Sequence, residues 1–92
     1  MSSGVAWRIE YLRSARKSVE KLDPRTRQRI RDYIYDRIAV LEDPRLLGKP
    51  LSGPLKNFWS YRVGDHRIIC DIQDGAVVIL VVAIGNRRDI YQ

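Results

Sequence analysis

Residues 57–84 read NFWSYRVGDHRIICDIQDGAVVILVVAI. Two turn signals, Gly64-Asp65 and Asp74-Gly75, cut this stretch into three runs, and both dipeptides tolerate the positive backbone angles of tight hairpins. The stretch therefore predicts a meander of three strands. Because residues two apart in a strand share a face, the runs also sort their own side chains. Ile68, Cys70 and Ile72 form the apolar set of the middle run, which puts Arg67, Ile69 and Asp71 on the opposite face. In the run before it, Trp59, Tyr61 and Val63 are the more apolar set, leaving Ser60 and Arg62 on the side of Arg67. A short turn at Gly64-Asp65 then sets Arg62 near Arg67. The third run is apolar on both parities from Ala76 to Ile84, as suits a strand covered on both faces.

Upstream, Trp7, Ile9 and Tyr11 alternate with Arg8 and Glu10, the two-residue period of a half-buried strand. From Ser14 onward Ala15, Val19 and Leu22 recur at helical spacing, and Asp23 with Pro24 closes that helix and opens the next. Ile30, Ile34, Ile38 and Leu41 mark the stripe of a longer second helix, which ends around EDPRLLGKP. Neither helix can bury its stripe alone. The expected architecture is α+β, with both helices on one face of a mostly antiparallel four-stranded sheet in the order β-α-α-β-β-β.

Composition limits the function. Residues 1–92 are read as a single domain, since 92 residues with 45% apolar and 30% charged side chains are typical of one compact globular unit. Lys and Arg number 17 against 11 Asp and Glu, a net charge of +6 that favours acidic partners such as nucleic acid. Cys70 is the only cysteine and lies in an apolar alternating run, so it reads as a buried small hydrophobe in a reducing cytoplasm. The first residues lack the apolar core of a signal peptide, and the apolar run near the end is too short to span a bilayer as a helix. A soluble, cytoplasmic chain with no membrane partner is expected. No histidine-cysteine cluster, glycine-rich phosphate loop or Ser-His-Asp set is present, which leaves metal, nucleotide and acyl-transfer enzymes without support.

The order strand, helix, helix, three strands, together with HRIICDI and the terminal IGNRRDIY, resembles the RelE/ParE superfamily of bacterial toxins from type II toxin-antitoxin pairs, in its RelE-like mRNA interferase branch. EDPRLLGKPLSG is similar, less specifically, to the usual helix-to-strand connection of that family. The resemblance covers nearly the whole chain. It implies an endoribonuclease that cuts mRNA in the ribosomal A site without metal or cofactor, held in check by a cognate antitoxin. It also implies active-site roles for Arg67, Arg87 and Tyr91, and RNA binding by Arg62, Arg88 and Lys56. Ser60 stands where RNase members often carry a second lysine or arginine. The ParE side of the superfamily implies a different outcome, inhibition of DNA gyrase by binding without hydrolysis.

Metal-free RNA cleavage uses the 2′-hydroxyl as an internal nucleophile, so the site must assist deprotonation, stabilise charge on phosphorus and help the 5′-oxygen leave. A guanidinium forks onto two phosphate oxygens and stays charged, which makes it a good clamp and a poor proton shuttle. Tyr91 is the better base, because nearby cations favour a phenolate; it can equally stack on a nucleobase, or close the end of the core. His66, whose imidazole can both give and take a proton, adjoins Arg67 and is a further candidate for proton transfer, although strand alternation points it to the other face. The four arginines Arg62, Arg67, Arg87 and Arg88 have an alternative reading as a solvated face paired to Asp71 and Asp89. Arg25, Arg27, Arg29 and Arg31 form a run on the second helix that reads as a solvated face or a contact to ribosomal RNA backbone.

Overall fold

A computed structural model describes residues 7–86. The chain begins with β1 (Arg8–Tyr11), followed by α1 (Arg13–Glu20) and α2 (Pro24–Tyr33), and α2 runs on as one π-helical turn over Ile34–Ile38. Asp23 caps α2 as its sequence suggests. The Thr26 amide donates to Asp23 Oδ2 at 3.1 Å and the Thr26 hydroxyl to Oδ1 at 2.6 Å, with Pro24 at the first helical position, where no amide donor is needed. The π turn is closed by the Ala39 amide donating to Ile34 O, and it keeps Ile30, Ile34 and Ile38 on one line, each at most 2% exposed.

Three strands follow as a meander: β3 (Trp59–Val63), β4 (His66–Gln73) and β5 (Val78–Asn86). The sheet has five strands rather than the expected four, because β2 (Lys49–Pro50) pairs antiparallel with β3. A two-residue strand has no period to read, and its proline is tolerated because β2 is an edge. The order across the sheet is β1-β5-β4-β3-β2, with β1 parallel to β5 and every other pair antiparallel.

The first hairpin has the expected two-residue loop. Val63 pairs with His66, and Gly64 adopts φ 61°, the left-handed region that glycine enters without penalty. The second connection differs from the expected tight turn at Asp74-Gly75. It is a 3-10 turn over Asp74–Ala76, and the residue with positive φ is Val77 at 54°. Left-handed backbone costs a β-branched residue on the order of 1–2 kcal/mol. Val77 packs its side chain against the core, and its amide donates to Asp74 O at 3.1 Å, which offsets that cost.

The core lies between the helices and one sheet face. Its sheet side is formed by Tyr61, Val63, Ile68, Cys70 and Ile72, the alternation read from the sequence. On β5 the parity changes within the strand. Ile69 pairs with Ala83 but Cys70 pairs with Val81, so Val82 is an extra residue. This bulge lets Ile79, Val81 and Ile84 all face the helices, and it accounts for part of the two-parity apolar pattern that suggested cover on both faces. The opposite face is not wholly exposed either, since Ile69 and Val78 are each 1% exposed. No helix among the described residues is long and apolar enough to cross a membrane.

Candidate nucleic-acid interface on the open sheet face

The β3–β4 register places Arg62 directly opposite Arg67 and Ser60 directly opposite Ile69, all on the face away from the helices. Cβ atoms of such facing residues lie roughly 5 Å apart. Arg67 Nη1 donates to Ser60 Oγ at 3.4 Å, and Arg62 Nε reaches Gly64 O at 3.4 Å. β2 adds a further cation, because Lys49 pairs with Ser60. Lys49, Ser60, Arg62 and Arg67 line a cavity of about 160 Å³ that Leu47 and Tyr33 close at the sheet edge. Lys49 was not singled out by sequence reading, since the strand that carries it has only two residues.

Of the two aspartates expected to pair with these arginines, Asp71 accepts from Gln73 Nε2 through its Oδ2 at 3.2 Å, and Asp89 lies outside the described residues. Arg62 also borders a second opening, lined by Arg29, Arg37, Asp32 and Asp36. The Arg29 guanidinium comes so near the hairpin that a Cβ on Gly64 would lie 3.4 Å from its Nη1. One member of the charge run on α2 is thereby brought beside Arg62, which the helical spacing alone did not reveal.

Other predicted residues fall elsewhere. His66 pairs with Val63 and Asn86 at the mouth of the hairpin, and alternation sets it on the helix side. Lys56 is exposed, just after the 3-10 turn Gly53–Leu55. Arg87, Arg88 and Tyr91 lie outside the described residues. On β5, Gly85 stands opposite Arg67, and Asn86, the last described residue, stands opposite His66.

Among the described residues, the buried titratable groups supply no nucleophile. Burial pushes the Cys70 thiol well above the usual thiol range, so it stays protonated at neutral pH. Burial likewise raises Tyr61, whose hydroxyl donates to Pro44 O at 2.7 Å, and it pushes Tyr11 up to about 12. What the open face offers is fixed positive charge and hydrogen-bond donors, the chemistry that holds phosphate.

A family described as the ParE toxin of the type II toxin-antitoxin system parDE matches residues 9–91. Toxin RelG of Mycobacterium tuberculosis is 26% identical over 84 residues, spanning 91% of this chain and 94% of that protein. Toxin RelE of the same organism is 25% identical over 92 residues, spanning 100% of this chain and 93% of that protein. In fold, the chain resembles the toxin-antitoxin complex RelBE2 from M. tuberculosis, with a TM-score of 0.83 and 24% identity over 97% of this chain and 100% of that one. It also resembles the isolated E. coli RelE toxin, with a TM-score of 0.72 and 23% identity over 94% and 92% of the two chains. The chain belongs to the ParE toxin family, within the RelE/ParE superfamily of type II toxin-antitoxin toxins.

Proposed function

From this membership and the geometry of the open face, we propose that the chain, as one RelE-like domain over residues 1–92, is a metal-independent endoribonuclease that cleaves mRNA on the ribosome. One observation carries the proposal: Arg62 and Arg67 are directly opposed across two strands, with Lys49 beside them. Like charges opposed in this way destabilise a strand pair, and a bound phosphate turns their repulsion into attraction.

In the reaction the 2′-oxygen attacks the adjacent phosphorus as it gives up its proton, the P–O5′ bond breaks with the 5′-oxygen taking a proton from water, and a 2′,3′-cyclic phosphate is left. Arg67 and Arg87 stabilise the charge that builds on the phosphoryl oxygens. Tyr91 takes the 2′ proton in its phenolate form, the form that positive charge favours. Arg62, Arg88 and Lys56 hold the RNA backbone, and the ribosomal A site presents the strand. His66, on the helix side of the sheet, takes no part in proton transfer. A cognate antitoxin covers the face in the resting cytoplasmic complex, a reading supported by the similarity to RelBE2 and E. coli RelBE, which were solved as toxin-antitoxin complexes.

The test is to incubate the purified chain with ribosomes translating a defined mRNA and to map the products, and in parallel to incubate it with DNA gyrase and supercoiled DNA. Cuts within the A-site codon are expected. Intact mRNA together with inhibited gyrase would replace the ribonuclease reading with the ParE-type one.

A further inference from the structure

The open face does not end at the arginine pair. Phe58 precedes Arg62 by four residues and Asp71 follows Arg67 by four, so both keep the parity of the arginines and lie about 13 Å along the strands from them. The ladder reaches Phe58, because the Leu51 amide donates to Phe58 O at 3.1 Å. Just before it Asn57 takes φ 83° and turns the chain. Phe58, Asn57, Asp71, Trp59 and Arg45 line a cavity of about 450 Å³ at this end of the sheet, a size suited to a small ligand group.

Resting on the ribonuclease reading, we propose that this cavity is a nucleobase subsite for a neighbouring nucleotide of the clamped RNA strand, and that it prefers a base bearing an amino group over uracil. Phe58 is the stacking platform, half-buried and, among the described residues, not covered by a guanidinium, whereas the Trp59 ring carries Arg45 at 6.0 Å. Arg45 is itself held by Asp43 and Asp74, with Nη1 at 3.1 and 3.2 Å from their carboxylates. It is therefore a fixed rim of the cavity rather than a phosphate hook. Asp71 supplies the selectivity. Its Oδ2 is oriented by Gln73, while Oδ1 accepts no hydrogen bond among the described residues. An ionised carboxylate is acceptor-only, and it matches an exocyclic amine such as cytosine N4. A phosphate at one end and a base at the other also give the strand a direction across the sheet.

The test measures binding of fluorescein-labelled hexanucleotides C6 and U6, and separately the distribution of cut sites in a randomised-codon mRNA library on ribosomes. The wild-type chain is expected to bind C6 more tightly than U6. Phe58→Leu should weaken both by about tenfold, the effect of losing one base stack. The nearly isosteric Asp71→Asn should fold normally, abolish the C6 preference and shift the cut-site distribution toward uracil. If both variants keep the wild-type affinities and cut-site distribution while the wild type cleaves, the subsite is wrong and the ribonuclease reading stands. If the substitutions instead weaken antitoxin binding and leave the cut pattern alone, the cavity serves a protein and the proposal fails. A wild-type chain that neither cuts nor binds either oligonucleotide overturns both readings together.

Discussion

The two faces of the β3–β4 hairpin are made from alternate residues of the same ten or so positions, yet they obey opposite rules. Toward the helices Tyr61, Ile68 and Cys70 are at most 1% exposed and the Tyr61 hydroxyl is hydrogen-bonded to Pro44. Toward the open side Arg62 opposes Arg67, and Lys49 stands across from Ser60. The first face is built of apolar side chains that bury one another, while the second sets two guanidiniums across from each other, an arrangement that suits an anion. The comparison thus separates residues that hold the sheet from residues that the sheet holds out.

Breaking the helix-side face should be most costly. Ile38→Ala removes a fully buried side chain from the π turn, and urea denaturation should show a loss of about 2–5 kcal/mol. Tyr61→Phe leaves the Pro44 carbonyl without its donor in a buried site, for a loss of about 1–3 kcal/mol by the same measurement. Gly48→Ala should cost a similar amount, roughly 1–3 kcal/mol, because a Cβ there would stand 2.9 Å from Tyr61 Cζ. Ile38 and Tyr61 face the helix-side core, so RNA cleavage per folded molecule should hold in those two variants, whereas Gly48 lies between Leu47 and Lys49 of the open-face cavity.

The open face should behave the other way round. Arg62→Ala is expected to leave stability unchanged or raise it by a few tenths of a kcal/mol, since it removes a like-charge opposition. The same variant should lower the slope of log affinity against log salt for RNA by about one, as expected for one lost phosphate contact. An unaltered slope would mean that Arg62 touches no phosphate. The smallest expected effect belongs to neither face. Hydrogen bonds from the Thr26 hydroxyl and amide hold the Asp23 carboxyl below its usual range. Its contribution is therefore present above the unfolded value near 3.9 and lost as pH falls through the lower folded value. Asp23→Asn keeps a capping side chain but cannot titrate, so this part of the acid limb should disappear from its stability-pH profile.

How much of this was legible before the structure follows from the length scale of each signal. The alternation in β3 and β4 is a local property of two residues, and it placed Arg62, Arg67 and Ser60 correctly because Gly64 forced the register of their hairpin. The bulge at Val82 is a property of pairing, invisible in a run that is apolar at every position, and it turned a question about two covered faces into one about a shifted register. Val77 took the left-handed angle that Gly75 advertised, because its side chain could reach the core. Lys49 joined the site through a strand too short to carry a pattern. Arg29 reached the hairpin through helix packing, which no single segment encodes.

The most direct test of the division between faces is Arg67→Ala, read by two numbers on one preparation: its thermal midpoint and its rate of mRNA cleavage on programmed ribosomes. The account predicts a midpoint near that of the wild type and a cleavage rate reduced on the order of a hundredfold, the usual loss when a donor to developing charge is removed. A variant that cleaves at the wild-type rate, or one whose activity falls only in step with its folded fraction, would contradict it.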